Sequence, residues 1–559
     1  MFDEEREAKL PCLPLETPPE ASLGLSPSAL LESVNKKLTD LADQRHHILC
    51  QMYAYKRLRN SVVPINRLPQ ELLADVFLLV TEDGSYQERV LDLSRVSTQW
   101  RTVVLTTPRL WTHIPLRQRR LAELFLVRSG NTHLHYRVDG STLSSTYPVL
   151  QDLQGMLPLS RTKTLEVEAA NEQELLLVFD LLAEPAPFLE TLSLQLPDIC
   201  EWVKGVGDLV IRTTLFDDAA PKLRILDLDV VHVYWTSSIF ANLTRLDLRN
   251  QKCDMLPDVD TFLDVLERTP QLESLLYHCW EYELDGLPRY VGPTPNCPRV
   301  ITLPELKRLI FGFLPSAWTS SVLGSLQVTA RTRVKIVSIP EVGQVDFPLD
   351  MLPADLSRIP ALSNIRSMEI EQISYRTLKF SLSPVGARHP RIKVPQLGSL
   401  ELRRADSMAL ALRDAFQKLD IRHLESLTIR EHPDRTIVAP HIWPTHLQMT
   451  KHLQQLQLID IHSPDILTAL RNSCDDNAIC PRLRALALQQ GFGGDAMVPE
   501  LEAYINHLSK EGRPLATVTL TDVGFSTDAI LRLKSMDVKV DVWRSVKGVP
   551  GTFTEVSID

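Results

Sequence analysis

The sequence predicts an α/β repeat protein: an N-terminal helix, a small all-α module, and then an irregular solenoid that runs as an arc. Three observations predict it. Residues 28–63 contain neither Pro nor Gly, so one long helix fits there. Two short segments dense in large apolar residues follow, at 65–77 and 90–111. From Leu165 onward the pattern x-Leu-x-x-Leu-x-Leu returns every 20 to 34 residues, mostly near 30. A period of that size is the mark of stacked repeats.

Residues 1–25 are rich in Pro and Glu and read as a disordered tail. Residues 26–62 read as the long helix, with Ser26 as its N-cap and Pro27 in its first turn. Leu31, Val34, Leu38, Leu41, Ile48, Met52 and Tyr55 alternate at spacings of three and four, interrupted only by Arg45. That is about four heptads, near the lower limit for a coiled coil. Two readings stand: a homodimer through this helix, or a helix that packs on its own neighbouring module or frays in solution.

Residues 63–116 read as that module. In INRLPQELLADVF, Pro69 suits a first helical turn and Glu71 sits near the positive end of the helix dipole. Leu68, Leu72, Leu73, Val76 and Phe77 then recur at helical spacing. In VLDLSRVSTQWRTVVLTTPRLW the pattern returns with Leu91, Val96, Trp100, Val103 and Val104, and closes on Pro108, Leu110 and Trp111. Two or three helices from about fifty residues cannot bury that many large groups among themselves. A docking surface for another protein is the expectation.

These residues resemble the F-box, the module that joins a substrate receptor to the Skp-type adaptor of a cullin–RING ubiquitin ligase. The resemblance rests on Leu68-Pro69-Gln70-Glu71, on Val76-Phe77, on Val96-Ser97-Thr98-Gln99-Trp100-Arg101 and on Pro108-Arg109-Leu110-Trp111. Ser97 stands where many members carry Cys, and Gln99 where a basic residue is usual. The resemblance implies an adaptor-binding face made by Leu68, Pro69, Leu72, Val76, Phe77, Leu93, Val96, Trp100 and Trp111, with Trp100 alternatively holding the module's own core. The order of long helix and Leu-Pro start is similar to that of the expanded F-box families of mushroom-forming fungi.

Residues 117–160 read as a linker or cap, with a helical segment from Gln118 to Val127 that Gly130 ends. Residues 161–559 read as the solenoid. Copies of the unit start at Leu165, Leu189, Leu223, Leu243, Leu272, Leu306, Val334, Ile365, Leu397, Leu424, Leu453, Leu483 and Leu515, and Val538–Trp543 reads as a closing strand. Short alternating strands joined through helical segments, such as 260–268, 407–419 and 528–536, follow the logic of leucine-rich repeats. Three buried apolar side chains per unit contribute on the order of 5 kcal/mol before chain entropy is counted, so a unit needs its neighbours. The asparagine of the leucine-rich consensus is mostly missing; Gln251 stands there in the Leu243 unit. The Pro-rich stretch 312–363 reads as a long loop or as a break between two arcs.

Composition bounds the function. Apolar content of 44% and charged content of 23% fit a globular protein. A net charge of −10 with no long basic run argues against nucleic acid as the partner. No run of about 18 apolar residues exists, so no membrane partner is expected, and the N-terminus lacks the apolar core of a signal peptide. The eight cysteines are scattered without a CxxC pair, which points to the reduced cytoplasm or nucleus and to no metal or other cofactor.

No catalytic motif appears, so an enzyme is not expected. The glycines of RLRALALQQGFGGD, residues 482–495, lack the spacing of a nucleotide fingerprint and have no Lys-Ser/Thr after them. His46-His47 point to different helix faces, and Cys474 and Cys480 flank a polar loop.

Aromatic residues near repeat strands, Tyr234, Trp235, Tyr277, Trp280, Tyr282 and Trp443, are candidates to touch a bound protein, because interfaces favour such side chains. The combined expectation is a substrate-recognition subunit that meets a Skp-type adaptor, and through it a cullin, and holds a substrate protein on its repeats. The alternative is a binding scaffold whose F-box-like helices only cap the solenoid.

Overall fold

In the computed structural model, the described residues are 26–81, 86–139, 155–169, 172–196, 210–211, 215–280, 299–339, 349–374, 376–386, 396–403, 408–431, 443–460, 465–471, 479–490, 494–545 and 553–556. Two compact units divide the chain. One runs to Trp111 and also takes Arg128–Gly130; the other holds Thr112–Val127 and everything from Asn131.

The first unit is all helical. Helix α1 spans Pro27–Ser61 and starts where Ser26 and Pro27 dictate: the Ser26 hydroxyl accepts the Ala29 amide at 3.4 Å. None of its side chains is buried. Helices α2 (Gln70–Thr81), α3 (Tyr86–Val96) and α4 (Thr98–Thr106) follow, with single 3-10 turns at Pro64–Arg67 and Pro108–Trp111. Ser97 caps α4, its hydroxyl accepting the Trp100 amide at 3.1 Å.

The second unit is a mixed sheet with helices. Helix α5 (Arg119–Arg128) belongs to it up to Val127 and leads to Gly130, whose φ of +56° is the left-handed cap the glycine permits. The strands are β1 (Leu134–Asp139), β2 (Thr162–Glu168), β3 (Thr191–Gln195), β4 (Val210–Ile211), β5 (Ile225–Asp229), β6 (His232–Val233), β7 (Arg245–Gln251) and β8 (Ser274–Cys279). They continue as β9 (Ile301–Leu303), β10 (Arg308–Gly312), β11 (Leu326–Val328), β12 (Arg333–Ser338), β13 (Ser367–Ser374), β14 (Thr377–Ser383) and β15 (Gly398–Leu402). The last are β16 (Ser426–Arg430), β17 (Gln455–Ile459), β18 (Ala485–Gln489), β19 (Thr517–Thr521), β20 (Lys539–Ser545) and β21 (Phe553–Glu555).

Seventeen of these form one sheet, β4 pairing only with β6 and β9 only with β11 among the described residues. Each copy of the repeat read from the sequence carries one strand of that sheet. Side chains point to opposite faces in turn, so Leu226 and Leu228 of β5 or Leu456 and Leu458 of β17 line the core while Asp227 and Gln457 point to the other face, where Asp227 is buried as well. Helices between strands add to the core. In α6 (Val259–Glu267), Asp258 caps the N-terminus, accepting the Thr261 amide at 2.8 Å, and Val259, Phe262, Leu263, Val265 and Leu266 are buried.

A left-handed residue recurs where strands end. Val230, Phe313, Asp460, Gln490 and Asp522 all have positive φ. Their amides donate to the carbonyls of Arg249, Val337, Gln489, Thr521 and Trp543 on the next strand, at 2.8 to 3.0 Å. This backbone ladder binds successive units without an asparagine ladder. At the one place where a long amide side chain replaces the consensus Asn, the buried Gln251 donates to the carbonyls of Arg249 and Leu228 at 2.9 and 3.3 Å.

Three regions differ from the sequence reading. The segment 117–160, read as a linker or cap with one helix, holds that helix as α5 but also β1, which pairs parallel with β2; Leu134, Tyr136 and Val138 alternate into the core but lack the repeat's leucine spacing. The stretch 312–363, read as a loop or a break, carries a helix (Ser316–Ser325), β11 and β12, with residues 340–348 outside the description. The irregularity lies later. Strands β13, β14 and β15 form an antiparallel meander, and it is β15, not β13, that pairs parallel with β12, while β13 pairs parallel with β16. Among the described residues, strand β14 and β21 alone run against their neighbours in the sheet.

A half-buried histidine pair gives the second unit a pH dependence. The rings of His113 and His135 stack, centroids 4.7 Å apart. Burial, then the neighbouring His135, lowers the His113 pKa from an ordinary 6.5 to about 4. Burial lowers that of His135 too, with Lys163 and His133 adding to the shift and Glu190 opposing it. The folded state therefore disfavours the proton. Its contribution is complete above pH 6.5 and declines as the pH falls toward 4. The thermal midpoint is expected to fall over that window, and His113→Phe to flatten the slope; an identical slope in the variant would remove His113 from the account.

Candidate functional site

Helix α2 sorts its apolar residues onto two stripes. Leu73, Phe77 and Thr81, four apart, are buried. Leu72, Val76, Leu79 and Val80 fall on the other stripe; Leu72 is 52% exposed, Leu79 67% and Val80 45%, with Val76 half-buried. Pro69 is exposed one turn before Leu72, and Leu68 is half-buried. Val96 is 55% exposed at the end of α3, and Leu105 on α4 is exposed as well. Several large apolar groups left on the surface of so small a module mark a contact surface.

The core beneath explains which candidates stay hidden. Phe77 is fully buried and its ring lies 4.7 Å from that of Trp100. Leu93 is buried, and Trp111 is 1% exposed with its indole N–H donating to the Val104 carbonyl at 2.7 Å. Phe77, Leu93 and Trp111 therefore spend their surface on their own helices and have none to offer an adaptor. Trp100 is half-buried and stands between the two roles.

Asn66, which no apolar pattern reveals, is the polar clasp of this face. Its side-chain oxygen accepts the Trp100 indole N–H at 2.6 Å, its amide donates to the Asn60 carbonyl at 2.7 Å, and its own carbonyl accepts from Gln99 at 2.9 Å. One residue so ties the end of α1, the Leu-Pro start and α4 together. The only signal in the sequence is a polar amide inside an apolar run.

The aromatic candidates of the second unit divide in the same way. Tyr277 and Trp443 are 1% exposed and Trp280 is 8% exposed, so none presents a face. Tyr277 packs in an aromatic core with Trp235, Phe262 and Trp318. Trp235 is half-buried, its ring stacked on Phe240 at 5.0 Å. Tyr234 is 57% exposed. Tyr282 lies outside the described residues, as do Cys474 and residues 491–493 of the glycine-containing segment. Burial raises the Cys480 thiol to about 11, which leaves it unreactive at neutral pH.

The outward face of the sheet carries the charge. Asp247 on β7 is fully buried among arginines: Arg245 at 2.6 Å, Arg308 of β10 at 3.2 Å and Arg249 at 3.5 Å. Beside it, Asp227 on β5 accepts from Gln195 at 3.2 Å and Arg249 at 3.4 Å. Burial raises the Asp227 carboxyl pKa, against the pull of Arg249.

Residues 65–117 match the F-box-like family. No curated protein matches the chain. An F-box-like domain of that extent supports an F-box protein. F-box domains typically bind Skp1-type adaptors in cullin–RING ligases, and F-box proteins are in general adaptor subunits rather than enzymes. Among the described residues no helix is long and apolar enough to cross a membrane.

Proposed function

We propose that this chain is the substrate-recognition subunit of an SCF-type ubiquitin ligase, built as a leucine-rich-repeat solenoid behind an F-box. The observation that carries the reading is the outward stripe of α2, Leu72, Val76, Leu79 and Val80, continuous with the Leu68-Pro69 start inside the segment that matches the F-box-like family. The repeat reading is supported by parallel strands that recur with the Leu-x-Leu pattern and by the ladder at their ends. The substrate lies on the sheet's outward face or at Tyr234 and Trp235, and ligation follows from holding it near the charged ubiquitin carrier.

The test is capture of a purified Skp-type adaptor by the full chain, beside Leu68→Ala with Pro69→Ala, both checked by far-UV circular dichroism. Capture by the wild type and not by the folded variant supports the reading. No capture by either leaves the helices as a cap and ends the ligase reading.

We also propose that α1 pairs with a second copy of itself. Its heptad positions Leu31, Val34, Leu38, Leu41, Ile48 and Met52 are all exposed over a helix of 35 residues, so no described residue of the chain covers the stripe. Leu38→Glu with Leu41→Glu is expected to convert dimer to monomer in sedimentation and to leave the urea midpoint of the α2–α4 module in place. A wild-type chain that sediments as a monomer at about 10 μM, a concentration at which micromolar pairing is populated, rejects the pairing.

A further inference from the structure

Strands β1, β2, β3, β5 and β7 place Arg137, Glu166, Ser193, Asp227 and Asp247 opposite one another in a single row on the outward face. Neighbouring strands stand about 4.8 Å apart, so Glu166 and Asp227 flank Ser193 across about 10 Å. Ser193 is the small member of the row. Over it opens a cleft of about 360 Å³, lined by Glu166, Glu168, Thr191, Ser193, Gln195 and Asp227, with Arg137 and Arg245 at its two sides.

The cations at the cleft are already engaged. Arg245 donates twice to Asp247, at 2.6 and 2.9 Å, and Arg137 lies 3.9 Å from Glu166 with most of its side chain in solvent. Arg249 reaches only the Oδ2 oxygen of Asp227. Among the described residues the Oδ1 oxygen of Asp227 has no hydrogen-bond partner, and it is shielded from solvent in a residue that is 7% exposed. Glu168 is exposed at the rim, and among the described residues no cation pairs with it. A buried carboxylate oxygen without a donor is costly, and a charged donor satisfies it best. The hydroxyls of Thr191 and Ser193 add acceptors at the floor, and the chain's net charge of −10 attracts a cation from solution.

We propose that this cleft receives a basic side chain, arginine or lysine, of a protein bound along the outward face of the sheet. The ammonium or guanidinium sits over Ser193, lies against Glu168 and donates to Asp227 as that carboxyl turns its shielded Oδ1 oxygen toward the cleft. This deepens the substrate-receptor reading and rests on it, by giving the substrate a required chemistry at one position.

The experiment is fluorescence anisotropy on the full chain at low ionic strength. Its probes are two labelled pentapeptides, Gly-Ala-Arg-Ala-Gly and the same peptide with neutral citrulline in place of arginine. The arginine peptide is expected to bind with a Kd below about 1 mM. The citrulline peptide is expected to bind at least about tenfold more weakly, the loss of a charge-assisted hydrogen bond. Asp227→Asn and, at the exposed rim where folding is not at stake, Glu168→Gln are each expected to weaken the arginine peptide and to leave the citrulline peptide unchanged. Equal binding of the two peptides, failure of the arginine peptide to saturate, or unchanged affinity in Glu168→Gln overturns the assignment. Adaptor capture on the same preparation separates the two readings. Capture without arginine-peptide binding rejects the cleft alone, and arginine-peptide binding without capture rejects the ligase role alone.

Discussion

Glutamate at both Leu72 and Val96 abolishes capture of a Skp-type adaptor and leaves the helical module folded. Both side chains are more than half exposed, so the unbound chain loses little by the change; surface substitutions stay within about 0.5 kcal/mol. In the complex the two carboxylates are buried against an apolar partner with no cation provided. That costs several kcal/mol, or a loss of affinity of more than about a hundredfold. Capture assays beside urea unfolding read both quantities. Phe77→Ala is the contrast: it empties a fully buried site and costs about 3–5 kcal/mol of stability, so it reduces capture by unfolding the module. Retained capture by a folded Leu72→Glu, Val96→Glu chain would remove this face from the proposal.

Asp247→Ala has the largest expected effect on the second unit. The carboxylate is fully buried and is the common partner of Arg245, Arg249 and Arg308. Without it three guanidinium groups crowd one another with no counter-charge between them. Removing one partner of a buried pair costs about 3–5 kcal/mol. The arginines keep 35 to 43% of their side-chain surface in solvent, which places this case near the lower end. Urea unfolding followed by circular dichroism measures it, and Asp247→Asn, which keeps the shape but not the charge, is expected to lose most of the same stability. A change below about 0.5 kcal/mol would show that the arginines are solvated well enough to do without the acid.

The positions of elements were legible where they rest on periodicity. Helix α1 begins at the Ser26-Pro27 signal, and α2 begins one residue after Pro69. The x-Leu-x-x-Leu-x-Leu copies coincide with strands because the pattern combines an alternating strand with the turn before it. What periodicity cannot encode is which of two apolar stripes a helix keeps for itself. Leu72 and Leu73 are adjacent leucines, yet one is half exposed and the other fully buried. The candidates Phe77, Leu93 and Trp111 were indistinguishable from Leu72 and Val96 on that criterion. Aromatic residues near strand ends suffered the same ambiguity, and Tyr277 and Trp443 went to the core.

Strand β14 escaped for a different reason. TLKFSLS alternates cleanly, but it starts only 10 residues after β13 does, outside the 20 to 34-residue spacing of the other units, and pairing direction leaves no mark on a strand's sequence. The cleft at Ser193 joins residues from strands far apart in sequence, so only register brings them into one row. Asn66 was missed because a single amide carries no period at all.

The antiparallel meander of β13, β14 and β15 has a consequence for the order in which the protein is made. In the regular stretches each new strand pairs with the one synthesised just before it, so β17 settles on β16 and β18 on β17 as they leave the ribosome. At β13 that rule fails. The nascent strand finds no place on β12, because that edge is reserved for β15, which emerges about 30 residues later. The edge of β12 waits from Ser338 to Gly398, and at translation speeds of about 5–20 residues per second it stays open for roughly 3–12 s. During that interval the nascent chain exposes an unpaired edge at β12 for longer than in the regular stretches, which gives a chaperone, or a neighbouring chain on the same message, a free strand to meet.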